Sequence, residues 1–457
     1  MIRKTVTYIL CLLAFCSCRN FLTVQPQGYV IPSTDEEFAA ILHGILNDVE
    51  GGGDQYVLGN MEVIARLEGC ADDLDANIKV GSIASYAGEV INSRMTDYKD
   101  TYSLIKDCNI VIDNMTGRTS QESVNMLSCA TAIKGICFYN LMRDFCGAWD
   151  AKSASSQLGL ILVDGFDISA RDQRSTLSQT ASYTENLLRT SLKLGQTDEK
   201  YFFNEWIVKS YLARLLFWTE DWSGAADVCN DIIANSGLKL SSIQDYESMI
   251  QSDGAPKGEV ITRSHINNAS ELDWYFSYLK GYIKSRPASA SLIHLFGDNP
   301  SSDVRYRTCF DKKRTCLKNP ECRIRLSEIY LMLAECKAHL GDSDGALDLL
   351  NDLRRCRIED VQDLTPDNLP SVRTGDRIVV DAQGNSLTPL MQAVFDERRR
   401  ELFLEGDRWF ELKRNGEPEW WIISNGLKYT TKKYLYTAPV YKADVDVYGI
   451  RQNEGYE

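Results

Sequence analysis

The sequence predicts a mainly α-helical fold, in which helical hairpins form a superhelical scaffold and an irregular, loop-rich region with a little β structure packs against them. Apolar residues recur at helical spacing along most of the chain, clearly so in segments 97–115, 123–145 and 175–195. One hairpin pattern occurs twice, and the stretch between the two copies lacks helical periodicity. With 44% hydrophobic and 25% charged residues, the chain has the composition of a globular protein.

The repeated hairpin spans segments 211–233 and 331–354, which align at an offset of 121 residues. The matched pairs are Ala213/Ala334, Asp221/Asp342, Gly224/Gly345, Ala225/Ala346, Asp227/Asp348, Asn230/Asn351 and Asp231/Asp352. Alanines on both helices let two antiparallel helices approach closely, and the matched aspartates fall at the turn. This is the pattern of tetratricopeptide-like units, although the spacing makes them dispersed units and two unrelated hairpins stay an alternative.

The segments outside the hairpins suggest a division of the chain near residue 250. Residues 18–250 form a predicted N-terminal helical region. Residues 251–457 form a C-terminal region with an irregular insert, the hairpin at 323–356 and a helix near 390–414. We expect both regions to pack as one compact unit. Segment 251–320 carries prolines, clustered aromatics and a β-like run at 260–261.

The N-terminus predicts export and a lipid anchor. Arg3 and Lys4 precede an apolar run at 6–15, which is typical of a signal peptide over residues 1–17 and too short for a stable membrane span. Ser17 supplies the small residue that a signal peptidase needs before its cut, so Cys18 is the predicted lipidated residue. The alternative is plain secretion with incidental cysteines.

The composition and motifs disfavour several functional classes. A net charge of −14 repels phosphate backbones, so nucleic acid is not an expected partner. Phosphate-binding, serine-hydrolase and zinc-protease motifs are absent from the sequence, and we predict no catalytic residue, no cofactor and no metal. Eleven cysteines follow Cys18 without a CxxC pair, and the spacing of Cys309, Cys316 and Cys322 permits one disulfide.

An aromatic cluster and an acidic pair are the candidate ligand-binding groups. The cluster places Trp274, Tyr275, Phe276, Tyr278 and Tyr282 within nine residues, and flat rings of this kind stack on sugar faces. The acidic pair is Asp72 and Asp73. We predict ligand contacts from Trp274, Tyr275, Tyr278, Asp72 and Asp73. The alternatives are a core cluster for the aromatics, and loop surface or a glycosidase pair for the aspartates. Trp420 and Trp421 are expected to pack.

Several ordered segments together resemble one protein family. They are the opening CRNFLTVQP from residue 18, FYNLMRDFCGAWD from 138, the two hairpins, DERRRELFLEGDRWFELKR from 396 and QNEGY from 452. In this order they resemble the SusD/RagB family of nutrient-binding outer-membrane lipoproteins of Bacteroidota. The resemblance implies non-catalytic capture of an oligosaccharide, or of a peptide, for a SusC-like TonB-dependent transporter. It also implies anchoring at the outer membrane, facing the cell surface, although Arg19 and Asn20 depart from the acidic start of many exported members.

The resemblance also interprets the charged segment 396–414, where 12 of 19 residues are charged. In the family it is a helix and a turn that pack against the repeats. We therefore expect Glu397, Arg398, Glu401, Glu405 and Arg408 to form a structural ion-pair network, in which residues three or four apart pair along one helix face. Competing hypotheses for the whole protein are a scaffold that binds a protein through its repeats, and a hydrolase.

Overall fold

The computed structural model of the chain describes residues 32–75, 86–165, 172–252, 255–264, 273–424 and 426–456. The predicted signal peptide at 1–17 and the predicted lipidation site Cys18 lie outside the described residues. The chain divides into two compact units, Met1–Ala40 and Ile41–Glu457. In the first unit, the Glu37 carboxylate accepts hydrogen bonds from the backbone N–H of Ser33 (2.7 Å) and Thr34 (3.1 Å) at the start of helix α1.

The described part of the chain is mostly helical. In chain order the helices are α1 Asp35–Gly51, α2 Met61–Cys70, α3 Ala87–Ser93, α4 Met95–Met115, α5 Gln121–Phe145, α6 Leu177–Leu194, α7 Glu205–Trp218, α8 Trp222–Asn235, α9 Ile243–Gln251, α10 Asp273–Lys284, α11 Ala290–His294, α12 Val304–Cys309, α13 Leu326–His339, α14 Ser343–Arg355, α15 Pro389–Glu401, α16 Arg408–Arg414 and α17 Lys442–Tyr448. Short 3₁₀ helices lie at Glu199–Tyr201, Pro300–Ser302 and Lys433–Tyr436. This confirms the predicted mainly α fold.

A continuous row of helical hairpins forms the scaffold. Helices α4 to α8 each pack on the next, α8 packs on α13, and α13 packs on α14. The two hairpins that the sequence repeats, α7–α8 and α13–α14, are therefore neighbours in space. The residues between α8 and α13 leave the row and return to it. Units that are dispersed in the sequence thus close into the predicted tetratricopeptide-like array.

Matched positions of the two hairpins have the same structural roles. Asp221 and Asp342 cap α8 and α14, each accepting a hydrogen bond of 3.0 Å from the backbone N–H of Gly224 or Gly345. A Cβ atom at either glycine would press against that capping carboxylate. Ala213 and Ala334 are completely buried. The shared sequence pattern therefore encodes a shared turn and a close helix crossing.

Two small antiparallel sheets complete the fold. Strand β1 (Val260–Arg263) pairs with β2 (Arg323–Arg325), so the β-like run at 260–261 belongs to a real strand. Strands β3 (Trp420–Ser424) and β4 (Leu427–Thr431) form a hairpin. Trp420 is buried as expected. Trp421 is 53% exposed, so the expectation that it packs is wrong: the two residues alternate across the strand.

The cysteines of the described chain form no disulfide. Each of the eleven from Cys70 to Cys356 is a free thiol. The thiol of Cys316 donates to the carbonyl of Arg286 at 3.6 Å, and the thiol of Cys322 donates to the carbonyl of Asn60 at 3.8 Å. These thiols therefore act as small buried groups with weak donors, and the sequence spacing that permitted a disulfide is not used.

Candidate functional site

Helix α10 packs against the core through one face, and side chains on its other face are exposed to solvent. Phe276, Leu279 and Ile283 lie three and four residues apart and are buried in a core cluster that includes Met61 and Ala65 of α2. That spacing defines one side of an α-helix. Helix α10 therefore sits firmly against α2. Tyr275 and Tyr282 are partly buried against the same cluster, whereas Trp274 and Tyr278 are exposed.

The exposed face of α10 carries three aromatic rings, which we call the aromatic surface: Trp274, Tyr275 and Tyr278. The Trp274 side chain is 73% exposed and Tyr278 is 64% exposed, whereas Tyr275 is partly buried. The rings of Tyr275 and Tyr278 are nearly parallel, at 13° and 6.4 Å between centroids, and Trp274 lies 5.6 Å from Tyr275. Exposed aromatic rings grouped in this way are typical of ligand contact surfaces.

Polar groups from α2 and from the loop before it border the aromatic surface. The phenol of Tyr275 donates to the carboxylate of Glu62, and burial followed by the Glu62 charge raises the pKa of Tyr275 to about 12. The Gln55 amide also donates to Glu62, at 3.2 Å, and Arg66 lies 3.9 Å from the same carboxylate. Flat rings therefore adjoin fixed acceptors and donors, which is the combination that orients a polyhydroxylated ligand.

The sequence did not single out Glu62, Gln55 or Arg66. Glu62 lies in an ordinary amphipathic helix more than 200 residues before Tyr275, and no motif links the two. The only local signal is Asn60, whose side chain caps α2 by accepting from the backbone N–H of Glu62 at 3.0 Å. That signal locates a helix start and carries no information about a site.

The structure places Asp72 and Asp73 in a different environment from the aromatic surface. Asp72 accepts two hydrogen bonds from Arg408, at 2.7 and 3.0 Å, and Asp73 accepts one from Arg399 at 2.6 Å. Both side chains are largely buried. Burial alone would raise the pKa of Asp72, but Arg408 and then Arg399 outweigh it and hold that pKa well below its ordinary value.

This environment corrects the expectation that the two aspartates bind ligand. Their carboxylates are buried and ion-paired, so they are not presented to a glycan. The same environment disfavours a glycosidase role, because both carboxylates are buried and bound to arginines rather than facing a substrate.

Glu401 lies at the centre of a fully buried ion-pair cluster. Its carboxylate accepts hydrogen bonds from Arg305 (3.0 Å), Arg325 (2.6 Å) and Arg357 (3.0 to 3.1 Å). Glu259 accepts from Arg325 and Arg357 as well, at 2.7 to 2.8 Å. Burial would raise the pKa of Glu401, but its three arginines hold that pKa well below its ordinary value.

The other residues predicted for the ion-pair network join through partners from distant segments. Glu397 accepts from Arg305 at 2.6 Å, and Glu405 accepts from Lys318 at 2.6 Å and from Arg325 at 3.0 and 3.2 Å. Arg398 donates to Asp407, at 2.8 Å for Nε. Some pairs do follow the predicted spacing of three, such as Arg408 with Glu411 at 2.7 Å.

Most of these contacts, however, cross between elements. The arginines around Glu401 come from α12, the end of β2 and the second residue after α14. The charged segment therefore ties the C-terminal insert to the helical row, and its charges are oriented into the protein rather than toward solvent.

Comparison with known proteins finds SusD-like sequences and structures. Residues 305–455 match the model of the SusD family. The SusD-like protein P25 of Formosa agariphila is 17% identical over 279 residues, covering 57% of this chain and 51% of that protein, so the match spans about half the length of this curated relative. A SusD superfamily structure from Bacteroides thetaiotaomicron aligns with a TM-score of 0.73 at 20% identity, covering 92% of this chain and all of the other. A SusD-like carbohydrate binding protein from Bacteroides vulgatus aligns with a TM-score of 0.65 at 18% identity, covering 90% and 96% of the two chains.

The helical row, the insert and the buried charge cluster thus define a SusD-type scaffold. Residues 305–455, about a third of the chain, match the SusD family model, and the described chain has the fold of SusD superfamily structures. Within the described residues, none of the helices is both long and apolar enough to cross a membrane.

Proposed function

We propose that this protein binds a nutrient oligosaccharide at the outer membrane without catalysis and passes it to a SusC-like TonB-dependent transporter. The observation that carries the proposal is the aromatic surface on α10, which lies exposed on a helix whose opposite face is fixed in the core. The match of residues 305–455 to the SusD family model and the structural likeness to the carbohydrate binding protein from Bacteroides vulgatus support the ligand class.

The aromatic surface suits a neutral sugar chain. The rings of Trp274 and Tyr278 stack on the apolar faces of pyranose units, and the nearly parallel Tyr275 ring extends the same surface. The Glu62 carboxylate, the Gln55 amide and Arg66 supply acceptors and donors for hydroxyl groups at its edge. A net charge of −14 disfavours strongly anionic polymers, so we place neutral glycans first.

The anchor and the transporter partner are part of the proposal. The predicted acyl group on Cys18 would hold the protein at the membrane, facing the cell surface. A single acyl chain gives only marginal membrane binding, so a stable location requires either more than one chain on that cysteine or the protein partner. The SusC-like transporter would be that protein partner.

Two alternatives rest on other features. The exposed edges of the row from α4 to α8 and α13 to α14 favour a scaffold that binds a peptide or a protein, as other tetratricopeptide-like arrays do. A glycoside hydrolase would require two facing carboxylic groups in a cleft. The acidic pair noted from the sequence, Asp72 and Asp73, is instead bound to arginines.

The test is a panel of plant, host and microbial glycans screened by retardation in affinity gels and followed by calorimetry. We expect a hit, and we expect Trp274→Ala to weaken it by about 2 kcal/mol or more, roughly thirtyfold, which is the scale for losing a central tryptophan anchor. Tyr278→Ala should weaken it too. Trp421→Ala is the matched control, because it removes an exposed tryptophan (53%) from the β3–β4 hairpin.

Three outcomes contradict the proposal. Unchanged affinity in Trp274→Ala, with Trp421→Ala also unchanged, would remove the aromatic surface as the site. Failure of the whole panel would move the ligand class to peptides or to a protein partner. New reducing ends appearing during incubation with a bound glycan would show catalysis.

A further inference from the structure

A second site, independent of the glycan proposal, lies inside the helical row. A cavity of about 110 Å³ is lined by residues of α2, α5, α7, α16 and strands β1 and β2. Its lining includes Arg143, Arg323, Arg398 and Arg414, and we call it the arginine-lined cavity. An interior of this polarity is unusual, because buried charges are costly unless each is compensated.

Charged side chains of both signs surround this cavity, and Glu335, which is outside its lining, pairs with the lining residue Arg414. Among the described residues that line it, seven are arginines and six are acidic. One of the six, Glu411, is partly neutral near pH 7, because burial raises its pKa to about 7. Arg143 has no ion pair with any described residue; its guanidinium lies 3.7 Å from the ring of Phe410. One buried carboxylate, Glu321, contacts both Arg263 and Arg323.

Several guanidinium N–H groups on this cavity lack acceptors. Nε and Nη1 of Arg323, Nη1 of Arg398 and Nη2 of Arg414 have no hydrogen-bond partner within the described part of the chain. The three side chains are at least nine-tenths buried. Buried donors are normally satisfied, so donors from three separate elements that line one cavity indicate a common acceptor.

We propose that the arginine-lined cavity binds a small inorganic oxyanion, of the class of phosphate or sulfate. Guanidinium groups bind such oxygens with paired, charge-assisted hydrogen bonds. The volume of about 110 Å³ is well above the roughly 10–15 Å³ that one water molecule needs, so the cavity has room for one small ion. Water could accept the same hydrogen bonds, but only an anion would balance the charge of Arg143, which makes no ion pair with a described residue.

The test uses sodium phosphate and sodium sulfate as probes, added to the purified protein at an ionic strength held constant with sodium chloride. We expect the oxyanions to raise the melting temperature and to give a binding isotherm, because a ligand that binds only the folded state stabilises it. Arg143→Gln should weaken this binding about tenfold or more, the loss expected for one charge-assisted contact. Arg143 makes no ion pair with a described residue, so the variant should fold, which circular dichroism checks.

Arg189→Gln is the matched control. Arg189 is an exposed arginine on α6, paired with Glu185 at 2.7 Å and remote from the cavity lining, and its loss should leave oxyanion binding unchanged. Crystals soaked in selenate give a second readout: we expect an anomalous selenium peak inside the cavity. The inference is overturned if phosphate and sulfate act no differently from chloride, if Arg143→Gln binds as the parent does, or if selenium binds only elsewhere.

Discussion

Replacing Glu401 with glutamine should remove a large part of the stability of this protein. The substitution keeps the shape of the side chain but deletes the negative charge that Arg305, Arg325 and Arg357 share, and it turns one acceptor into an N–H group facing guanidinium donors. All four side chains are completely buried, so water cannot replace the lost charge. Breaking a buried ion pair costs about 3–5 kcal/mol, and three cations depend on this one carboxylate.

The expected loss is therefore at least about 3–5 kcal/mol, out of the 5–15 kcal/mol that a folded domain typically has. Urea unfolding of Glu401→Gln and parent protein, followed by circular dichroism, measures it. Glu185→Gln is the matched control, because Glu185 forms a 2.7 Å ion pair with Arg189 on the protein surface. Exposed pairs of this kind contribute less than about 1 kcal/mol. Similar losses in both variants would refute the view that burial makes the Glu401 cluster structural.

Two further predictions concern a buried acid and a capping turn. Burial raises the pKa of Glu68 from its ordinary 4.5 to about 8, so the folded state keeps a proton that the unfolded state releases, and stability should fall as pH rises from 4.5 to 8. Glu68→Gln should lessen that fall, because an amide stays neutral and its oxygen can still accept from the Gly406 N–H (3.2 Å); an unchanged pH profile by urea unfolding would contradict this. Gly345→Ala should cost about 1 kcal/mol in thermal unfolding, because the new methyl displaces the capping carboxylate of Asp342. Gly281→Ala, where a Cβ meets no atom within 4 Å, should instead stabilise helix α10 by up to about 1 kcal/mol, and equal effects would contradict the cap argument.

The helical row was predictable because its signals are local. Helical periodicity and the matched residues of the two hairpins depend on neighbours within a few turns. The structure contains the helices and the hairpin turns that these signals predict. The contact between α8 and α13 was not predictable, because it joins residues about 90 positions apart with no pattern between them. The helical hairpins were therefore predictable from sequence alone, whereas their packing into one row was not.

The candidate site was likewise predictable only where the signal was local. Residue type suggested that Trp274 and Tyr278 face a ligand, and their exposure on a fixed helix agrees with that hypothesis; their role in binding stays a prediction. Acidity alone could not distinguish a ligand-binding carboxylate from one such as Asp73, since the distinction depends on Arg399, more than 300 residues away. The same holds for the arginines that surround Glu401, each of which comes from a different element.

The insert between α8 and α13 has a consequence for how proteins of this architecture can diversify. The aromatic surface belongs to the insert, whereas the row that carries the fold is completed by helices on either side of it. Doubling the length of a connecting loop costs only about 0.6 kcal/mol in closure entropy. A lineage could therefore lengthen, shorten or replace the segment that carries the aromatic surface while α8 and α13 still pack together, and so change that surface without rebuilding its scaffold.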